Sequence, residues 1–146
     1  MKIEKYLLKA EADLTVFEFV SEGLDGTIQK VIQFQRTEQP HLYNLAFGDK
    51  NLETGEVDDL AVSNNGDSEK VLATVAAAMF AFLDKYPDAF VYATGSTSAR
   101  TRLYRIGISR FYNEIIQRVD LYGQLGEEFH EFQIGTEYIG FLAQKK

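Results

Sequence analysis

The run from Asp58 to Phe111, DDLAVSNNGDSEKVLATVAAAMFAFLDKYPDAFVYATGSTSARTRLYRIGISRF, decides the fold. Its pattern predicts strand, long helix, strand, short helix, strand. Leu60, Ala61 and Val62 are strand-like, and the turn-forming Ser63-Asn64-Asn65-Gly66 follows them. Asp67 or Ser68 then offers a short side-chain oxygen to the first free amides of a helix, and Glu69 suits the positive end of its dipole. Leu72, Val75, Ala76, Met79, Leu83 and Tyr86 recur at offsets of three and four, one face of a helix that Phe80 and Phe82 broaden. Pro87 stops it, with Lys85 in its last turn.

Beyond that helix, Ala89 to Thr94 is nearly all apolar, as expected of a strand covered on both faces. Gly95-Ser96-Thr97-Ser98 turns the chain into a second helix. Its expected apolar face is Ala99, Leu103 and Ile106, with Gly107 as a left-handed terminator. A strand, a capped helix and a parallel strand make a crossover unit, expected to be right-handed.

Outward from this core the chain reads as a single domain over residues 1–146. Lys5 to Ala10 and Leu14 to Ser21 look extended, and Glu22 to Gly26 is a loop by its glycines. Ile28 to Arg36 alternates as a half-exposed strand, with Ile28, Lys30, Ile32 and Phe34 on one face. Leu42 to Phe47 returns, Gly48 through Gly55 is a hairpin loop, and Glu56 to Val62 completes an antiparallel meander. Phe111 to Ile116 fits a strand or a helical turn. Leu121-Tyr122 and Phe129 to Ile134 flank a hairpin turn at Gly123 to Glu128. Tyr138 to Leu142 closes the chain as a strand or short helix, and Gln144 to Lys146 is expected to fray. The fold class is α+β: an antiparallel meander followed by strand, helix, strand, helix, strand on a mixed sheet.

Composition excludes several kinds of chemistry. No cysteine occurs, which removes disulfides and thiolate metal sites, and the two histidines, His41 and His130, lie far apart in sequence. No metal site is expected. A net charge of −7 argues against nucleic acid or an anionic membrane as partner. The N-terminus carries charges where a signal peptide has an apolar core, so the cytoplasm is the expected location. Phosphate-binding, nucleophile-elbow and zincin motifs are all missing.

The strongest site candidate is the turn Thr94-Gly95-Ser96-Thr97-Ser98 with Arg100 and Arg102 behind it. Free amides at a helix N-terminus, three hydroxyls and two guanidinium forks suit a phosphate or carboxylate. No acid occurs between Ala89 and Asn113, whereas four of the six arginines do: Arg100, Arg102, Arg105 and Arg110. Against that, Ser96 or Thr97 serves equally well as a plain helix cap. Asn64-Asn65-Gly66-Asp67 reads as a helix-capping turn, and Asp58-Asp59 as an exposed pair at a hairpin end. Tyr112 and Tyr122 are candidate surface handles for a partner.

The order of elements over Gln29 to Ile116 resembles the second half of the GNAT-type N-acetyltransferase fold. Leu60 to Val62 before the long helix is similar to the strand that opens that family's coenzyme A motif. Ser96 to Ala99, with Leu103, Gly107 and Ile108, is similar to its later helix. Three features depart from it. Ser63 to Glu69 holds one glycine, two acids and no base where the family's pyrophosphate loop carries an Arg or Gln and two glycines. Leu103 falls where the general-acid tyrosine is expected, with Tyr104 one residue late. No helix pair is evident in Met1 to Gln29. The runs DDLAVSNNGDSEKVLATVA and YATGSTSARTRLYRIGI also resemble a small bacterial family of unknown function, and that resemblance is the closer one.

Two functions follow as expectations. The first is a non-catalytic binding module for a protein partner or a small anionic ligand, needing no cofactor. The alternative is a divergent acyl-CoA-dependent N-acyltransferase, using acetyl-CoA, in which Tyr104 has taken over proton transfer.

Overall fold

A computed structural model describes residues 4–58, 65–95 and 97–146. The expected strand at Leu60 to Val62, together with Asp59, Ser63, Asn64 and Ser96, lies outside the described residues. Nine strands and three helices are formed among those described, in an α+β arrangement with mixed strand pairing. The chain divides into two compact units.

The first unit comprises the described residues of Met1–Gln35 and Ala46–Phe82. Strand β1 (Lys9–Ala10) pairs antiparallel with β2 (Val16–Gly23), which pairs antiparallel with β3 (Gly26–Arg36). The glycine-rich loop expected at Glu22 to Gly26 is a two-residue turn: Gly23 faces Gly26, and Gly26 adopts φ +85°. The second half of β4 (Leu42–Lys50) follows, with β5 (Val57–Asp58) antiparallel to it. The hairpin loop is therefore shorter than the sequence suggested, because Gly48 to Lys50 are strand.

Helix α1 (Ser68–Lys85) contributes its residues through Phe82 to this unit. Val71, Thr74, Val75, Ala78 and Phe82 form its deepest line, whereas Leu72 and Met79 are half-buried. Of the expected face Val75 and Leu83 are buried, and the burial of Phe80 and Phe82 broadens it as expected. Phe82 stacks on Phe34 with ring centroids 4.3 Å apart, and Phe34 meets Phe17 edge-on at 5.9 Å. In β3, Ile32 and Phe34 are buried as expected. Val31, on the opposite face, is also fully buried, so the strand is not half-exposed at its middle.

The second unit comprises Arg36–Leu45 and the described residues of Leu83–Lys146. Here the first half of β4 pairs in parallel with β6 (Phe90–Ala93), from Leu42↔Phe90 to Leu45↔Ala93. That parallel pair has α1 in the connection between its strands. Strand β9 (Gly140–Lys145) is antiparallel to β6, β7 (Val119–Leu125) to β9, and β8 (Glu128–Glu131) to β7.

Helices α2 (Ser98–Arg110) and α3 (Tyr112–Ile115) connect β6 to β7. The strand expected at the end of the organising run is absent: Ile108 to Arg110 are helical, and Gly107 lies inside α2 instead of ending it. The β7–β8 hairpin turns at Gly126, with Gly123 to Leu125 already strand. The C-terminus is held, not frayed. Lys145 pairs with Val119, and Lys146 donates its amide to the Arg118 carbonyl at 3.1 Å. Phe132, Tyr138 and Phe141 make the aromatic centre of this unit, with Phe132 and Tyr138 5.2 Å apart.

Candidate functional site

The turn before α2 is tied to its own helix. Thr97 is extended at the N-cap, and its hydroxyl accepts from the Arg100 amide at 3.2 Å. The Gly95 amide donates to the Thr101 hydroxyl at 3.0 Å, and that hydroxyl in turn donates to the Thr97 carbonyl at 3.1 Å. Glycine is required at position 95: a Cβ there would stand 2.4 Å from the Thr101 nitrogen. Thr94 donates to the Ile139 carbonyl at 2.8 Å. So the hydroxyls of Thr94, Thr97 and Thr101 each bind backbone, while Ser98 is exposed at the first helical position and Ser96 is not among the described residues.

The helix itself is turned over relative to the sequence expectation. Thr101, Tyr104 and Gly107 are buried, and Phe111 continues the line just past the helix. Ala99, Leu103 and Ile106, expected inward, face out, with Leu103 39% and Ile106 49% exposed. At 100° per residue, Ala99, Leu103, Ile106 and Arg110 make one narrow stripe with Arg102 at its border. The reason is competition between two apolar faces. Burying the rings of Tyr104 and Phe111 removes more apolar surface from water than burying Leu103 and Ile106, and it leaves Arg102 and Arg110 in solvent. Arg102 and Arg110 are exposed on this stripe; Arg105, to one side, pairs with Glu137 at 3.5 Å.

Tyr104 belongs to the buried face at 7% exposure. Burial pushes its hydroxyl up to about 12, against the opposing pull of the Arg100 guanidinium. It is a neutral O–H donor across the physiological range.

Asn65-Gly66-Asp67 has a different task. Asn65 is 3% exposed, and its side chain donates to the Ser21 hydroxyl at 3.1 Å and the Gly26 carbonyl at 2.9 Å while accepting from the Asp25 amide at 2.6 Å. Its carbonyl accepts from the Leu24 amide at 3.1 Å. The Asp67 carboxylate accepts from Tyr6 and Ser21, both at 2.5 Å. This loop plugs the β2–β3 turn, a role wider than capping.

The first unit also holds a feature the sequence marked only as a lysine on an apolar face. Lys30 is buried, paired with Asp49, and 5.9 Å from the Phe47 ring centroid. A cavity of about 500 Å³ opens beside it, lined among others by Tyr6, Lys9, Glu18, Phe19 and Lys50. Lys50 pairs with Glu18, so two of its cations already face acids. Among the described residues no cluster of three or more histidines and acids is placed to hold a metal. No described helix is long and apolar enough to cross a membrane.

A model of a family of unknown function, DUF6934, matches residues 2–146. The chain belongs to that family. The match spans both compact units and the α2 stripe. No curated protein and no solved structure matches it significantly. For this DUF6934 member, the chemistry of the exposed residues is therefore the ground for a functional reading.

Proposed function

We propose that the chain is a non-catalytic binding module that receives a protein segment bearing acidic and apolar side chains on the outer stripe of α2. One observation carries this reading: Leu103 and Ile106 stand in solvent between Arg102 and Arg110, in a stretch without an acid from Ala89 to Asn113. An apolar centre with a charged rim is the composition of a protein-recognition patch. A small anion at the Gly95 turn is the weaker form of the proposal, because Thr97 and Thr101 occupy the Arg100 and Gly95 amides that such a ligand would use. The parallel β4–β6 pair joined through α1 supports a GNAT-like reading of the fold. An acyltransferase built on it would need Tyr104 to reach substrate, and its burial speaks for the module.

The test is a fluorescence titration of the protein with a synthetic peptide alternating glutamate with leucine and phenylalanine. The proposal expects saturable binding that weakens with salt. Leu103→Ala and Arg102→Glu should each cost about 1 kcal/mol or more of that binding. A lysine-for-glutamate version of the peptide should not bind. Silence of the glutamate peptide at about 1 mM, a free energy weaker than about −4 kcal/mol, would falsify the reading.

A further inference from the structure

The second unit segregates its charge along the chain. Between Ala89 and Asn113 there are four arginines and no acid, whereas between Asp120 and Gln144 there are five acids and no lysine or arginine. Those acids are Asp120, Glu127, Glu128, Glu131 and Glu137. Four of the five lie on the β7–β8 hairpin, where every residue of β8 is exposed. Apolar side chains accompany them in solvent: Leu125 is 41% and Phe129 43% exposed. The hairpin thus has the composition that the α2 stripe calls for, acids interleaved with exposed apolar groups. One such match is already made within the chain, between Arg105 and Glu137.

We infer that the occupant of the α2 stripe is the β7–β8 hairpin of a second copy of this chain, an inference that rests on the module reading above. Phe129 and Glu131, which share one face of β8, would meet the stripe, Phe129 over Leu103 and Ile106 and Glu131 against Arg102 or Arg110, with Glu128 at the rim of the same edge. Strand β8 ends the described sheet path, so its outer edge is also open to a strand partner. Edge-to-edge pairing of two β8 strands would set glutamates against glutamates, and such charge is a known guard against that mode. The opposite sign lies on α2. A contact between two different patches is heterologous, so each copy still offers one stripe and one hairpin. Assembly then continues with concentration until a ring closes or a filament grows.

Sedimentation and light scattering of the intact chain test this at increasing concentration. At low salt the average mass should rise above 16.6 kDa with concentration. In roughly 1 M salt, where the screening length is about 3 Å, it should fall back to that of the monomer. Two double variants sharpen the result, each checked for native circular dichroism: Arg102→Glu with Arg110→Glu, and Glu128→Arg with Glu131→Arg. Each alone should stay monomeric. Mixed, they should assemble again in alternation, because the acidic stripe of the first meets the basic hairpin of the second and the acidic hairpin of the first meets the natural stripe of the second. If either pair of substitutions unfolds the chain, Phe129→Ala in the natural background should lower the association at least tenfold. A wild-type chain monomeric up to about 1 mM, or an assembly indifferent to all these variants, overturns the inference. Binding of the glutamate peptide by such a monomer would leave the module standing and remove only the second copy as its occupant.

Discussion

Asn65 shows how much one side chain holds in this molecule. Its amide and carbonyl groups satisfy both sides of the β2–β3 turn, and Gly23 exists to let it in: a Cβ at Gly23 would lie 2.0 Å from the Asn65 carbonyl oxygen. Asn65→Ala leaves the Asp25 amide and the Gly26 carbonyl without that partner. It should lower unfolding free energy by roughly 1–3 kcal/mol in urea denaturation; a loss below about 0.5 kcal/mol would mean that water replaces it. Tyr104 gives a second residue-scale expectation, in pH. Burial pushes its hydroxyl up to about 12 in the folded chain, from an ordinary value of about 10. The neutral form is favoured by folding, so this contribution is complete below pH ~10 and is lost as pH rises through ~12. It amounts to about 2–3 kcal/mol at full loss. Denaturation at stepped alkaline pH should show the decline, and Tyr104→Phe should remove that part of it. An unchanged profile in Tyr104→Phe would contradict the assignment.

At the scale of elements, the two long helices differ in how their faces could be read. Helix α1 is apolar on most sides, so its existence and limits were legible at Ser68 and Lys85, while the choice of Phe82 over Met79 as the deep residue depended on which side chains fill the space against Phe34. Helix α2 carries two apolar stripes, and periodicity alone does not rank them. Aromatic area decided for Tyr104, and Leu103 went to solvent. Phe82→Ala should therefore cost about 3–5 kcal/mol, whereas Leu103→Ala should change stability by no more than about 0.5 kcal/mol. Equilibrium denaturation of the pair checks both. A Leu103→Ala loss rivalling that of Phe82→Ala would place the stripe inside.

Across the whole molecule, the α+β class and the mixed sheet were legible because they follow from local turn chemistry and apolar periodicity. The strand that pairs with β6 was not legible, because pairing depends on contacts distant in sequence: the β4 residues that pair with it lie more than forty residues before it. The site was half legible. Clustered arginines and the absence of acids pointed to α2, yet the outward turn of Leu103 and Ile106 is what converts a candidate anion turn into a candidate protein-binding stripe. The chain contains no cysteine, so a single introduced thiol reports its own accessibility without background. The most direct measurement is the rate of thiol labelling in folded Leu103→Cys compared with folded Tyr104→Cys. The outward stripe predicts that Leu103→Cys reacts at nearly the rate of an unfolded chain and Tyr104→Cys orders of magnitude more slowly. Protection at position 103 with free reaction at position 104 would contradict it.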